Sequence, residues 1–314
     1  MIPATAHFVW LGSWFPWFNV LAIRSALERG GFSRVVLHHD EALAASALGP
    51  LLADPRVHFR PIDLEALCAG AGVAPAPFAA LMSELTAPSA RSNVLRCLAL
   101  AAEGGVYLDT DTVTVKSLDD LRASGGAFCG QERVARPLRW IQKRRAADQL
   151  KSWALLGLRQ AFRLWPRGYL HFRMVEGLYP LAVNNAVLGC AARHPFMLEL
   201  LARMVKVPPA RRRVRFALGT HLLQRHVADY AGAGLVVYPP EYFYPLAPEI
   251  ADHWFRHHAR HDLDQVLSPQ TRIVHWYGST HRRRTMVRLA PDYVLANARR
   301  QMLSQLAAPF VTEA

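Results

Sequence analysis

Between residues 7 and 109, short apolar runs alternate with longer segments of helical periodicity, and this alternation narrows the folds open to the chain more than any other feature. "HFVWLG" (7–12) reads as a buried first strand, and "NVLAIRSALERGG" (19–31) as a helix closed by Gly30 and Gly31. "RVVLHHD" (34–40) and "VHFRPI" (57–62), the latter after a short helix, read as the next two strands. "SARSNVLRCLALAAEGG" (89–105) reads as a helix ending at Gly104 and Gly105, and "VYLD" (106–109) as the strand that follows. The pattern predicts an α/β sheet with helices on both faces. Ligands of such sheets bind beyond the carboxyl ends of strands, and Asp109 falls at such an end.

Past residue 130 the pattern loosens. Residues 136–165 read as helical and basic on one side, with Trp140, Leu150, Trp153, Phe162 and Trp165 among the apolar positions. "LAVNNAVLGC" (181–190) reads as strand and turn, and "HPFMLELLARMV" (194–205) and "THLLQRHVADYA" (220–231) as helices. "LVVYPP" (235–240) and "RIVHWYGS" (272–279) read as later strands, and the last twenty residues as a terminal helix.

Hydrophobic residues make up 52% of the 314, enough for a large core and against disorder. The four cysteines form no CxxC pair, which argues against a zinc ribbon or a disulfide framework and for a reducing compartment. The N-terminus has no basic segment ahead of its apolar run, so it does not read as a signal peptide. No apolar window reaches the length of a membrane span. The expected location is the cytoplasm, with peripheral attachment to the inner face of the membrane left open. The formal net charge is +13, concentrated in residues 136–151, 211–215 and 281–288. Such an excess attracts polyanions without choosing among nucleic acid, anionic lipid and phosphorylated substrates. "RRRVR" (211–215) lacks the interleaved aromatics that stack on bases, so no specific nucleic-acid partner is expected.

In this basic chain, "EGGVYLDTDTVTV" (103–115) sets two carboxylates one residue apart at the end of an apolar strand. With extended geometry Asp109 and Asp111 would share a side, and like charges there repel unless a cation joins them. Mn²⁺ or Mg²⁺ suits two carboxylates together with phosphate oxygens. A bare D-x-D is a common chance match. The chain holds a second at "HDLDQV" (261–266), in a polar stretch that reads as a helix cap.

The context of the first copy separates the two. "RSNVLRCLALAAEGGVYLDTD" resembles the signature of glycosyltransferases with a DxD sugar-binding region. This GT32-like group includes bacterial capsule and lipo-oligosaccharide transferases, yeast initiating mannosyltransferases and animal α-1,4-galactosyltransferases, and large clostridial glucosylating toxins show a similar arrangement. The pattern is a Ser-Asp-x-x-Arg helix, then Gly-Gly-hydrophobic-Tyr-hydrophobic-Asp-x-Asp. Ser92, Arg96, Gly104, Gly105, Tyr107, Asp109 and Asp111 match it, with Asn93 where Asp is commoner. "IPATAHFVWLG" (2–12) resembles the family's opening strand, "NNAVLGCAARHPF" (184–196) a later Asn-containing segment, and "IVHWYGST" (273–280) a late His-x-x-Gly segment.

The resemblance implies a metal-dependent, retaining glycosyltransferase that takes a sugar from a nucleotide-sugar donor, a UDP-sugar first, to a glycan or lipid-linked saccharide. It implies a GT-A, Rossmann-like mixed sheet flanked by helices, as one domain over residues 1–290. A basic helical insertion would occupy about 136–168, and a C-terminal helix or tail 291–314. Asp109 and Asp111 would carry the metal and the chemistry, with His275 as third metal ligand and Asn185 near the reacting centre. Trp10 would stack on the base, with Gly12 beside it. Arg91, Asn93, Arg96 and Tyr107 would face the donor, and Trp276, Gly278 and Ser279 would close over the diphosphate. No carboxylate stands out as a nucleophile; Glu132 and Glu176 have no support beyond residue type. An anionic membrane surface is a further expected partner. The competing readings are a toxin-like effector that glycosylates protein, and a basic binding protein that has lost the chemistry.

Overall fold

The computed structural model describes all residues except 42, 44–47, 136, 138–144, 258–262, 279–288 and 312–314. Nine strands are described: β1 (Thr5–Trp10), β2 (Arg34–His39), β3 (Val57–Pro61), β4 (Gly105–Leu108), β5 (Thr112–Thr114), β6 (Ala127–Arg133), β7 (Leu181–Cys190), β8 (Leu235–Tyr238) and β9 (Ile273–His275). The longer helices are α1 (Trp17–Arg29), α2 (Leu64–Ala71), α3 (Pro75–Glu84), α4 (Pro88–Glu103), α5 (Ala146–Leu164), α6 (Gly168–Val175), α7 (Pro195–Val205), α8 (Thr220–Asp229), α9 (Pro291–Asn297) and α10 (Met302–Ala307). The chain divides into two compact units. The first comprises Met1–Thr110, Ser117–Gly130 and Val183–Tyr238; the second comprises Asp111–Lys116, Gln131–Ala182 and Pro239–Ala314.

The first unit is built on a seven-stranded sheet in the order β3-β2-β1-β4-β7-β6-β8. β3, β2, β1 and β4 run parallel, β7 pairs antiparallel with β4, and β6 and β8 pair in parallel. This is the α/β sheet that the alternation of the sequence predicts, and it is mixed, as the family resemblance implies. Helix α4 lies at its centre, buried without a break from Val94 to Ala101. Phe196, Met197, Leu200 and Leu201 of α7 belong to the same core. The second unit holds the β5–β9 antiparallel pair and the helices α5, α6, α9 and α10.

Two local expectations are corrected, at 181–190 and in the terminal segment, and a third, the helix over 136–165, is described only in part. Residues 181–190 form one continuous strand rather than strand and turn. The Asn184–Asn185 pair suggests a turn, but burial is nearly continuous from Ala182 to Cys190, Asn184 Oδ1 accepts from the Ala186 N–H of the same strand, and the Asn185 amide donates to Asn93 on α4. Helix α5 begins at Ala146, and residues 136 and 138–144 lie outside the described residues. The terminal segment is two short helices broken at 298–301, not one. The second D-x-D, at Asp262 and Asp264, lies partly outside the described residues, and Asp264 sits in the one-turn helix Leu263–Val266.

The turn from α4 into β4 needs glycine twice. Gly104 and Gly105 have φ of 68° and 113°, and a Cβ on Gly105 would lie 2.5 Å from the Thr5 carbonyl oxygen. Beside this turn a buried histidine pair spans β1 and β2. His7 Nε2 meets the Gly104 carbonyl at 2.9 Å, and His7 Nδ1 meets His38 Nε2 at 3.1 Å. A neutral His7 donates through Nε2 to that carbonyl and accepts the His38 N–H at Nδ1. Burial holds both imidazoles neutral, pushing His7 down to about 4 and His38 to about 3. The His of the opening-strand pattern thus fastens β1 to the start of β4.

Each lowered value means that the unfolded chain, titrating near 6.5, takes up protons before the folded one. The stabilisation is complete above pH 6.5 and is lost as pH falls toward 4. The urea midpoint should therefore drop across this interval, and the drop should be smaller in His38→Asn; equal slopes in the two proteins would contradict this account.

Candidate active site

The strand that carries the first aspartate stops at Leu108, and residues 110–111 turn rather than continue extended. The backbone is therefore not extended between the two aspartates. Instead the chain leaves the first unit after Thr110, and each aspartate is fixed by partners within its own unit.

Asp109 is held in the first unit. Its backbone N–H donates to Ala186 O of β7 at 2.8 Å, and the Tyr107 hydroxyl donates to its Oδ1 at 2.6 Å. Arg96 Nη1 lies 3.1 Å from the same oxygen. The Arg96 side chain is 6% exposed, and it is satisfied on every side. Nη1 donates to Asn185 O at 2.6 Å, Nη2 to Ser92 Oγ at 3.2 Å, and the guanidinium lies 4.2 Å from the centre of the Tyr107 ring. Burial pushes the Tyr107 phenol well above its ordinary value, so it is a permanent donor. Asn185 Nδ2 donates to Asn93 Oδ1 at 2.8 Å. Gly219 lies close to both amides: a Cβ there would fall 2.8 Å from Asn93 Nδ2. The Ser-x-x-x-Arg spacing of the helix is explained by this network, since Ser92 and Arg96 are one turn apart on α4 and face the same strand end.

Near the ends of β1 and β2, Gly12 N–H donates to Asp40 Oδ1 at 2.8 Å, and Arg91 Nη1 lies 3.7 Å from Asp40 Oδ2. Gly12 has φ of 113°. Trp10 ends β1 with its ring edge-on to Phe15, centroids 4.9 Å apart, and its Nε1–H buried without a hydrogen-bond partner among the described residues.

Asp111 is held in the second unit. His275 Nε2 meets its Oδ1 at 3.0 Å, and the Gly278 N–H donates to its Oδ2 at 2.7 Å. The register follows from the β5–β9 pair, which sets Thr112 opposite His275, and the Trp276 N–H extends the ladder to Asp111 O. Burial raises the Asp111 carboxyl, but the facing His275 and the Gly278 N–H outweigh it, and the group lies below its ordinary value. Gly278 is required by space: a Cβ would meet the Trp276 ring at 2.5 Å. Trp276 is buried edge-on to Phe255. Ser279 lies outside the described residues.

Two participants escape a reading of the sequence. Tyr277 adopts φ of 56°, packs its ring 4.2 Å from that of His275, and donates through its hydroxyl to buried Glu132 Oε2 at 2.6 Å. Asp40 joins Gly12 and Arg91. Neither is signalled by spacing: a left-handed tyrosine leaves no mark in sequence, and Asp40 reads only as the last residue of a strand.

The family model described as "Glycosyltransferase sugar-binding region containing DXD motif" matches residues 59–126, the segment that holds α4 and both aspartates. The match supports a glycosyltransferase enzyme. No curated protein matches the sequence. Among solved structures the chain is similar to the PaToxG glycosyltransferase, with 16% identity, 73% of this chain and 69% of that chain covered, and a TM-score of 0.48. It is similar to the galactosyltransferase LgtC in complex with donor and acceptor sugar analogues, with 12% identity, 99% and 97% covered, and a TM-score of 0.42. It is also similar to the glycosyltransferase GlyE of Streptococcus pneumoniae TIGR4, with 9% identity, 100% and 61% covered, and a TM-score of 0.46. This chain therefore spans less than two thirds of the GlyE chain. Nothing about function follows from likenesses at these scores.

A buried cation whose carboxylate partner depends on it is costly to remove. Arg96→Met should lower stability by about 3 kcal/mol, read as a shift of the denaturant midpoint at unchanged slope. A midpoint equal to that of the wild type would show that the Asp109 network does not depend on Arg96.

Proposed function

We propose that the chain is a metal-dependent glycosyltransferase of the DxD-containing type, moving a sugar from a nucleotide-sugar donor to a glycan or lipid-linked saccharide met at an anionic membrane surface. The observation that carries this reading is the separate anchoring of the two aspartates. Asp109 is fixed by Arg96 and Tyr107, and Asp111 by His275 and the Gly278 N–H, each to a different frame of the fold. A solvated turn would not bind its acids in this way.

Asp109, Asp111 and His275 each offer one ligand atom for a metal ion. Two carboxylates and an imidazole fit Mn²⁺ or Mg²⁺ by donor chemistry. When bound, such an ion supplies Lewis-acid neutralisation of charge on the departing nucleoside diphosphate. The chain's own residues do the remaining work. Arg96 and Tyr107 orient the Asp109 carboxylate, Gly278 orients that of Asp111, and Glu132, through Tyr277, steadies the loop that follows His275.

For the donor, the Trp10 indole offers a flat face at the end of β1 for a uracil ring, with Gly12 leaving room beside it. Arg91 is the more exposed of the two arginines and the one free to meet a phosphate by giving up a long contact with Asp40. Asn93 and Asn185 supply amides for sugar hydroxyls, and Asn in place of Asp at 93 suits an altered or N-acetylated sugar. Trp276 and Gly278 would lie over the diphosphate, together with Ser279. Retention of configuration by departure and attack on the same face asks for no nucleophilic side chain. The acceptor hydroxyl bonds to the anomeric carbon as the bond to the diphosphate breaks, and the leaving phosphate takes the hydroxyl proton.

Replacement of one carboxylate tests the reading directly. Asp111→Asn keeps an acceptor for the Gly278 N–H and should change stability by less than about 1 kcal/mol. It should nonetheless remove Mn²⁺-dependent nucleotide-sugar hydrolysis and transfer. Wild-type turnover in the folded variant would rule out the metal site.

A further inference from the structure

The motif "RRRVR" (211–215) takes no part in the site described above, and its arginines serve different ends. The segment between α7 and α8 is a run of turns. Arg211 O accepts the Val214 N–H at 3.1 Å, Val214 O accepts the Ala217 N–H at 3.0 Å, and Phe216 O accepts the Gly219 N–H at 3.1 Å. Arg212 is committed to the fold: its guanidinium donates to the Val207 carbonyl at 2.7 Å, the Val205 carbonyl at 3.0 Å and Glu84 Oε1 at 2.8 Å. Arg211, Arg213 and Arg215 are exposed, and among the described residues no carboxylate pairs with them. Arg215 instead lays its guanidinium 4.6 Å from the centre of the Phe216 ring.

Phe216 itself holds a costly position. Its φ is 68°, a left-handed backbone that residues other than glycine rarely adopt. Burial does not offset this cost, because the ring is half exposed and meets His221 only edge-on, with centroids 5.8 Å apart. Strain of this kind collects at sites that serve a ligand. The turn that Phe216 opens ends on Gly219, where a Cβ would fall 2.8 Å from Asn93 Nδ2 and 3.2 Å from Asn185 Nδ2. The two ends of such a turn lie within about 7 Å of each other. An exposed ring beside a guanidinium therefore stands one turn from the amide pair to which the proposed function gives sugar hydroxyls. All of these residues belong to the first unit. A pyranose offers an apolar C–H face that an exposed aromatic ring can cover. Exposed guanidinium groups in the same run of turns, without carboxylate partners, match a carboxylate or phosphate on that saccharide. A single ring is too few for a polynucleotide, which stacks successive bases on several.

We propose that Phe216, with Arg213 and Arg215, forms a subsite for the acceptor, and that the acceptor is a saccharide carrying a carboxylate or a phosphate. One sugar ring stacks on Phe216, and its anionic group meets the guanidinium groups. The inference deepens the proposed function and rests on it for the role of this saccharide: Asn93 and Asn185 would hold the donor sugar, and the half-exposed Phe216 ring is open to a second sugar that arrives from solvent.

The test is isothermal titration of the full-length chain with tetragalacturonate, with maltotetraose phosphorylated on one ring, and with unmodified maltotetraose. No donor or metal is added, so binding is read apart from catalysis. Failure of the transferase reading shows as absent Mn²⁺-dependent hydrolysis of nucleotide sugar, and failure of the subsite as absent saccharide binding. The wild type should bind an anionic probe about tenfold or more tightly than maltotetraose, and the probe preferred tells carboxylate from phosphate. Phe216→Gly removes the ring, leaves the charge unchanged and suits the φ of 68°. It should bind that probe about tenfold more weakly, with a melting temperature no lower than that of the wild type. Phe216→Tyr should keep wild-type affinity. Arg213→Gln combined with Arg215→Gln should bring the anionic probe down to the level of the neutral one. Equal affinity of the wild type and Phe216→Gly would leave only the general attraction of a basic protein for anions and overturns the proposal, as does a wild type that prefers neither anionic probe. A lower melting temperature in Phe216→Gly would assign the ring to the fold and overturn it likewise. Binding of single-stranded oligothymidylate that is tighter than that of either saccharide, and lost in the same variant, would assign the ring to nucleic acid with the same consequence.

Discussion

The arrangement of the first unit depends on one buried cation. Arg96 projects from α4, whose residues Val94–Ala101 are all buried, to the carboxyl end of β4. There it meets Asp109, the Asn185 carbonyl of β7, Ser92 and the Tyr107 ring. A charge removed from water to this extent is tolerable only when its donors are satisfied. The requirement explains several residues at once. Ser92 must stand one turn before it on α4, Tyr107 must bring its ring against the guanidinium, and β7 must run beside β4 to bring its carbonyl within reach. The paired glycines at 104 and 105 are the complement of this constraint, because the chain must reverse from helix into strand where the Thr5 carbonyl leaves no room for a Cβ.

Asp111 answers to a different frame. The β5–β9 ladder sets Thr112 opposite His275, and the loop after β9 returns the Gly278 N–H to the Asp111 carboxylate. Tyr277, left-handed and bonded to Glu132, gives that loop its course. The two adjacent acids of this basic chain are each held by partners of their own. One is bound to an arginine and a phenol, and the other to a histidine and an amide, and Thr110 is the single residue between them.

Much of this was legible in the sequence. The alternation from 7 to 109 located β1 to β4 and α4 to within a few residues, because period and glycine punctuation are local properties. The D-x-D, Ser92 and Arg96 were marked by fixed spacing on one helix and one strand end. His275 was marked only by its position in a late segment, and its meeting with Asp111 spans 164 positions. What could not be read was set by non-local packing. The Asn184–Asn185 pair resembles a turn until the amide of Asn93 is found opposite it. The arginines of α5 resemble a solvated face until Glu249 and Asp252 are found beneath them, which leaves leucine and tryptophan on the outside. Asp40 and Tyr277 are silent for the same reason.

The proposed function requires that a divalent ion held by Asp109, Asp111 and His275 allow the nucleotide sugar to bind. It is tested most directly by the stability of the protein in a panel of nucleotide sugars, each with Mn²⁺ and with a chelator. The cognate donor at about 100-fold excess over its Kd should raise unfolding stability by about 2.7 kcal/mol in Mn²⁺, and the gain should disappear when the ion is removed. A donor that stabilises the protein equally in Mn²⁺ and in chelator would contradict the account.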